Sequence, residues 1–550
     1  MRPTGAFGVG ALILGLVVWL AASPATHQPA GDEIARSVIV QDRDATAAAA
    51  AVRRVGGEVT HRLGIIRAVG ARLTSDQLDA LEAVGGGIRI YQNRGVTLAC
   101  GCPPGDVEPT YYPQLVEAER LHQEAGIDGY DITIAVVDSG LWQWQAPLRE
   151  NAEGHYRILA QYHAFWDCVK TPWNHCYAWD RNGHGTHVTA VMMSSGQTTS
   201  GSYQGIAPNA DVVVVKAFDA NGNSTYLDVI RAIDWVVGNQ DVYHIRVLNL
   251  SFSAEPRSYY WEDPLNQAVM AAWQAGIVVV TSAGNRGPDP MTIGVPANVP
   301  YVITVGAMTD SYTPDDGTDD VLAGFSAAGP TVEAFVKPEI VAPGGHLLAL
   351  MPSSGVLAAS YPEFIHENDD YFVMSGTSQA AAVVSGVAAL MLQADPTLTP
   401  DDVKCRLLAT ARPAVDEQGN LAYSPFQQGA GLVNAYDAVY SSEVGCANPG
   451  LDVARDLAAI EHYLGPTRLD GDGNFSIEGV GYPWDGSWVQ GSGDPWVDGD
   501  PWVDDNPWVD DNPWLDDNPW LDGNPWIDGD VDWSSDLSET ASLNAWVPQE

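Results

Sequence analysis

The sequence predicts an α/β fold with a mostly parallel central sheet, preceded by a small α+β domain and followed by a low-complexity acidic tail. Three observations carry this. Near-continuous apolar, β-branched runs, "DITIAVVD", "DVVVVKAF", "IRVLNLSF", "IVVVTSAG" and "YVITVGA", are what strands buried on both faces of a parallel sheet require. Helical segments such as "TYLDVIRAIDWVVG" and "PLNQAVMAAWQAG", the latter stopped by Gly276, alternate with them between about residues 130 and 438. The composition changes at both ends of that region.

In chain order, residues 1–30 hold one early arginine, an apolar run from Ala11 to Ala22, then small residues and prolines. This is the layout of a secretory signal peptide, and the run is short of the ~20 apolar residues of a comfortable membrane span. An exported protein without stable membrane insertion is expected. Residues 34–97 read strand, Ala-rich helix, strand, strand, a helix starting at Thr74-Ser75-Asp76, then strand. That order suits two helices on one antiparallel sheet. A linker, 98–114, contains Cys-Gly-Cys-Pro-Pro. The α/β region is expected to span 115–445, a second linker 446–493, six Pro-Trp-Asp hexads 494–529, and an acidic end 530–550.

Six cysteines, at 100, 102, 168, 176, 405 and 446, fit an oxidising compartment. Cys168 with Cys176 and Cys405 with Cys446 close the shortest loops apart from Cys100–Cys102, but spacing leaves the connectivity open. A formal charge of −44 argues against a nucleic-acid partner, because phosphates would be repelled.

In open parallel sheets chemistry gathers beyond the carboxyl ends of the strands. Asp138 ends one run, Asn249 and Ser251 close another, and Asn285 follows a third. Two Ala/Val-rich helices start directly after glycine, at Gly183-His184-Gly185-Thr186-His187 and at Gly376-Thr377-Ser378-Gln379. An Asp, a His, a Ser and an Asn on one edge supply the orienting carboxylate, base, nucleophile and oxyanion donor of an acyl-transfer site. The pair His184 and His187 also invites a zinc reading. A helical metallopeptidase motif, however, needs two histidines at i and i+4 with a Glu between, and this stretch has neither.

The segments "VVDSG", "NGHGTHV", "TSAGN" and "SGTSQAA", in that order, resemble the four signatures of subtilisin-like serine peptidases. "FSAAGP" (325–330), "KPEIVAPG" (337–344) and "GAGLVNA" (429–435) extend the resemblance over about Leu115 to Val439. It implies a three-layer subtilisin-like domain, a serine endopeptidase made as a zymogen, and Asp138, His184, Ser378 and Asn285 as catalytic residues. His187 is then a buried helix residue. Ser251, Phe252, Ser253 and Gly284 would bind substrate. Residues 34–97 resemble the family's ferredoxin-like inhibitory propeptide, which makes that segment a partner of the active site beside protein or peptide substrates. The enzyme is expected to be monomeric and extracellular, with retention on cell walls or surfaces as a further expectation. The resemblance implies no catalytic cofactor and leaves room for structural Ca²⁺, although "MSSGQTTSGSYQG" has no clear match to the family's calcium loop.

Two departures stand out. Ala382 replaces the proline that usually follows the nucleophile, so the start of that helix is expected to change. Ser253 replaces the glycine of the usual Ser-Leu-Gly substrate strand, which should narrow the cleft. "LDGDGNFSIEG" (469–479) spaces acidic groups like a calcium loop but lacks its Gly and Glu, and reads as a solvated turn. Recurrent proline bars helix or central strand in the hexads, which read as an extended acidic tail. Their tryptophans supply the alternative function, a catalytically weak surface or polysaccharide-binding protein.

Overall fold

The computed structural model describes residues 35–83, 87–98, 111–310, 320–366, 370–415 and 420–487. The expected signal peptide, Cys100 and Cys102, the hexads and the acidic end lie outside the described residues.

The strand Thr133–Asp138 is buried at every position and sits centrally in a nine-stranded sheet. On one side come Asp211–Lys216 and Ile158–His163, both parallel to it, then the antiparallel edge Cys168–Val169. On the other come Ile245–Leu250, Val278–Ser282, Ile303–Thr309 and Ile340–Pro343, all parallel, with Val321–Leu322 pairing antiparallel to Ile303–Thr309. The register sets Asp138 opposite Lys216 and Asn249 opposite Val136 and Val280. The polar residues at the ends of these runs therefore share one edge. Helices Tyr226–Gly238 and Pro264–Gln274 pack together, as do His184–Met193 and Thr377–Ala394, and these pairs form the helical layers. Thr377–Ala394 is long and apolar enough to span a membrane by composition, yet it lies in the protein core. The helix runs unbroken through Ala382, so the missing proline leaves no kink or stop.

Residues 36–92 form a separate core on an antiparallel sheet whose strands lie in the order Glu58–Leu63, Ala68–Leu73, Arg36–Gln41, Arg89–Gln92. The α+β expectation matches this arrangement. A capping box at Thr74 and Gln77 starts its second helix, one residue after the Leu73 strand end. Beyond it, Gly95–Leu98 leaves the domain as a strand of its own.

The stretch expected as a linker, 446–493, differs. It carries the helix Val453–Leu457 and the antiparallel strands Thr467–Leu469, Phe475–Ile477 and Gly481–Trp484. Phe475, Ile477 and Trp484 are buried with Ala328, Val336 and Phe426. The acidic turns around these few apolar residues hid the period-two alternation of Phe475 and Ile477. The calcium-like segment is the turn of this small sheet, where Asp470 accepts from the backbone N–H of Asp472 (2.9 Å) and Asn474 (2.8 Å).

Cys168–Cys176 and Cys405–Cys446 are disulfide-bonded. Deep in the body Glu339 binds the ammonium groups of both Lys337 and Lys404, the latter at 2.8 Å. Burial pushes the Lys337 ammonium down to about 7. Glu339→Gln leaves two buried cations without their counter-charge and is expected to destabilise the fold by about 3–5 kcal/mol in a urea titration. A loss below about 0.5 kcal/mol, the size of an ordinary surface substitution, would contradict this account.

Candidate active site

Asp138 ends its strand almost fully buried, and its carboxylate has two tasks. Oδ1 accepts from the N–H of Ser139 at 2.7 Å. Both oxygens lie against Nδ1 of His184, at 2.9 and 3.0 Å. An ionised carboxylate only accepts, so Nδ1 carries the proton and the ring presents Nε2 as its basic nitrogen. The flanking glycines have steric reasons. A Cβ on Gly185 would stand 2.5 Å from the Gly140 carbonyl and 2.9 Å from Asp138 Oδ1. Gly183 adopts φ +112°, and its Cβ would meet Met351 Sδ at 2.7 Å.

Sequence reasoning missed Asp180. It accepts from the N–H of Asn182 (3.0 Å), Gly183 (2.9 Å) and Thr186 (2.9 Å), and from the hydroxyls of Thr186 (2.7 Å) and Ser139 (2.9 Å). It thus satisfies two of the free donors at the start of the His184 helix, those of Gly183 and Thr186, and fixes that helix to the end of the Asp138 strand through Ser139. The available signal was an Asp a few residues ahead of a helix opened by glycine.

His187 lies one turn on, fully buried. Its Nε2 reaches the carbonyls of Leu347 (3.1 Å) and Phe372 (3.0 Å), so this nitrogen bears the proton. The side chain pins the hairpin formed by Leu347–Leu350 and Tyr371–Met374 to the helix. Burial pushes its imidazole down to about 3.

Ser378 is the second residue of the helix Thr377–Ala394 and is fully buried. Its Oγ donates to the Ser251 carbonyl at 3.1 Å, while Ser251 Oγ donates to the Ser378 carbonyl at 3.0 Å. Behind them Asn249 Nδ2 donates to Ser251 Oγ (2.9 Å) and Ser385 Oγ donates to Asn249 Oδ1 (3.0 Å). This buried chain locks the first turns of the helix to the end of the Ile245–Leu250 strand. Asn285 is fixed from the same helix: its Oδ1 accepts from the N–H (3.0 Å) and hydroxyl (2.8 Å) of Thr377. That assigns the amide orientation, since a backbone N–H must meet an oxygen. Nδ2 is then turned away, buried and without a hydrogen-bond partner. A buried unpaired N–H₂ costs free energy.

Ser251 meets Ser378 through its carbonyl, and Phe252 stands opposite Leu98 in an antiparallel strand pair. The Phe252 ring is buried against Phe218, with centroids 5.2 Å apart. Ser253 does project a side chain: its Oγ lies 3.1 Å from where a Cβ on Gly284 would stand and 1.8 Å from one on Gly294. It fills space that these two glycines leave. Gly284 itself adopts φ +110° and donates its N–H to Thr377 Oγ1 at 3.2 Å.

The strand Gly95–Leu98 is the middle one of a three-stranded sheet. It pairs antiparallel with Asn223–Thr225 on one side and with Phe252–Ser253 on the other. Among the described residues no group of three or more His, Cys, Asp or Glu side chains is arranged to hold a metal ion.

This part of the fold thus holds a histidine against a buried carboxylate, a serine at a helix start and an asparagine amide fixed by its oxygen to that same helix. The profile of the Subtilase family matches residues 129–431. Serine protease AprX of Bacillus subtilis is 35% identical over 388 residues, covering 69% of this chain and 80% of its own length. Subtilisin DY of Bacillus licheniformis is 30% identical, covering 58% of this chain and 94% of its own. The crystal structure of fervidolysin from Fervidobacterium pennivorans, described as a keratinolytic enzyme related to subtilisin, superposes with a TM-score of 0.56 at 25% identity. The match covers 75% of this chain and 62% of that one. The chain belongs to the subtilase family and is a subtilisin-type serine peptidase, a hydrolase of peptide bonds.

The unfolded chain takes a proton on His187 below about pH 6.5, whereas the folded one resists it down to about 3. Stability from this group is therefore complete above pH 6.5 and is lost as the pH falls toward 3. In His187→Leu the fall over this range should be shallower, and about 1–3 kcal/mol should be lost at pH 7 because two buried carbonyls lose their donor. Parallel pH–stability curves for parent and variant would rule this out.

Proposed function

We propose that the chain is a secreted serine endopeptidase made as a self-processing zymogen, with Ser378 as nucleophile, His184 as general base, Asp138 as its orienting partner and Asn285 as oxyanion donor. The carrying observation is the pairing of the Asp138–His184 contact with the unpartnered Asn285 amide, anchored one residue from Ser378. In this reading Ser378 Oγ attacks the substrate carbonyl carbon as its proton passes to His184 Nε2. Negative charge moves onto the carbonyl oxygen, where Asn285 Nδ2 and the Ser378 N–H receive it. Collapse breaks the C–N bond, and the amine leaves with the proton from His184. Water then repeats the sequence on the acyl-enzyme and frees the acid and Ser378.

The zymogen reading is supported by the strand Gly95–Leu98, which lies between two cleft-wall strands as an extended substrate would. The N-terminal domain that delivers it is fastened by polar contacts. Asp234 accepts from the N–H of Gly64 (3.1 Å) and Ile65 (2.8 Å), Arg94 pairs with Asp263, and Leu227 N–H donates to Asn93 Oδ1 (3.0 Å). It thereby serves as an internal inhibitor until cleaved. Export is supported by the N-terminal apolar run and by two disulfides.

Ser378→Ala should accumulate as the uncut chain, and the parent should be cut between about residues 92 and 109, read by mass spectrometry of the termini. Normal processing of the variant in a protease-free host would sink the self-cleavage reading. Asn285→Ala should lower kcat by about 10²–10³ with little change in KM.

Ser253 is expected to restrict the side chain on the acyl side of the cut bond to small residues. Ser253→Gly should raise kcat/KM for bulky aromatic residues there at least about fivefold relative to alanine, each lost clash being worth roughly 1 kcal/mol. An unchanged preference would remove Ser253 from the specificity pocket.

A further inference from the structure

The folded segment 447–487 raises a question, because a peptidase core closing near Val439 has no evident need of it. Its course is fixed at each stage. The Cys405–Cys446 disulfide holds its start, and Lys404 Nζ donates to Asn448 Oδ1 at 3.0 Å. Asp456, almost fully buried, accepts from the hydroxyls of Tyr260 (2.6 Å) and Tyr301 (2.9 Å) and from His462 Nδ1 (2.7 Å). The segment then crosses the body closely. Gly465 N–H donates to the Glu333 carbonyl at 2.7 Å, and a Cβ there would stand 2.1 Å from the Ala334 carbonyl oxygen.

The end of the segment is the informative part. Trp484 stacks on Phe426 at 5.8 Å and lies 6.0 Å from Phe475, and Met291 packs against the same cluster. A Cβ on Gly486 would stand 2.9 Å from Pro290 Cγ. Pro290 and Met291 close the loop that begins at Asn285. The second support of that loop is the stretch 325–330: Ala327 N–H donates to the Gly284 carbonyl (3.0 Å), Gly287 N–H to the Phe325 carbonyl (2.9 Å) and Met291 N–H to the Gly329 carbonyl (3.2 Å). Ala328 of this stretch is itself a member of the Trp484 cluster. Both supports of Gly284–Asn285 therefore rest on the aromatic cluster that the C-terminal segment completes.

We propose that residues 447–487 form a positioning element for the oxyanion side of the active site, with Trp484 as its key. The inference rests on the reading of Asn285 as the oxyanion donor. Thr377 fixes the oxygen end of the Asn285 amide, but its backbone is set by the 286–291 loop. A donor serves a developing charge only when held within about 0.5 Å of its place. Removing the indole frees Met291 and Ala328 to shift, and the Asn285 backbone with them. Trp484 touches neither substrate nor reacting atoms and acts through Asn285.

The test is a double-mutant cycle on a short peptide substrate. The variants are matured in trans, and kcat is normalised to sites titrated with a serine-reactive probe, so that loss of folded protein does not register. Trp484→Ala should lower kcat per titrated site about tenfold with KM within about twofold, and Trp484→Phe should restore most of it. On an Asn285→Ala background the same change should cost almost nothing further. Met291→Ala gives a second, milder approach to the loop and should show the same non-additivity. A chain ending at Ser487 should keep the parent kcat. Parent-like kcat in Trp484→Ala, or full additivity with a strong Asn285→Ala loss, overturns the role of the segment. A fall in the chain ending at Ser487 overturns its assignment to 447–487. If Asn285→Ala itself turns over at the parent rate, the oxyanion reading falls instead.

Discussion

The helix Thr377–Ala394 is the fixed axis on which the site depends. It is buried along nearly its whole length, packed against five strands of the central sheet and the His184 helix. Its displacement would expose apolar surface at about 25 cal/mol per Å², so it has no low-energy alternative position. Ser378 and Thr377 stand in its first turn. Thr377 holds the Asn285 amide, the Ser378 carbonyl is tied to Ser251, and Ser385 is tied to Asn249. The end of the Ile245–Leu250 strand and the segment that follows Val278–Ser282 are thereby referred to one rigid body, and their placement follows from hydrophobic burial rather than from a set of independent loops.

The opposite half of the site is organised by carboxylates. Asp180 gathers five donors and closes the start of the His184 helix, while Asp138 receives a backbone N–H before it meets the imidazole. Lys216, opposite Asp138 in the register, donates to the carbonyls of Ser139 and Phe218 rather than to either carboxylate. Its cation nevertheless offsets the buried negative charge nearby. The same economy marks the contact with the N-terminal domain. Asp263 caps its own helix through the N–H of Leu265 (2.9 Å) and Asn266 (3.2 Å), and it also receives Arg94 and the Tyr226 hydroxyl. One carboxylate thus sets a helix start and fastens the strand Gly95–Leu98 at the cleft.

Ser253 and the segment 447–487 mark where this chain departs from a plain peptidase core. The first occupies room left by Gly284 and Gly294 at the cleft, and the second closes an aromatic cluster behind the Asn285 loop. Both meet the same short stretch, 284–294.

The sequence by itself determined the α/β class, the edge on which polar residues gather, and the order of the Asp138, His184, Asn285 and Ser378 segments. It did so because these are local signals: β-branched runs, alternating helices, and glycines whose missing Cβ lets backbone and side chains approach. Spacing and the lack of a Glu argued against a zinc site at His184 and His187, while the separate expectations for the two histidines came from the family resemblance. Tertiary structure alone decided that Phe252 turns inward, that Ser253 nests against two glycines far along the chain, and that Asp180 serves two elements at once. It likewise turned an apparent linker into a folded segment, since a handful of apolar residues among acidic turns has value only when Phe426 and Ala328 are already in place to receive them. The physical reason is range. Periodicity and caps are written within a few residues, whereas a carboxylate's donors, a ring's partner and an amide's free N–H₂ depend on atoms brought together by folding.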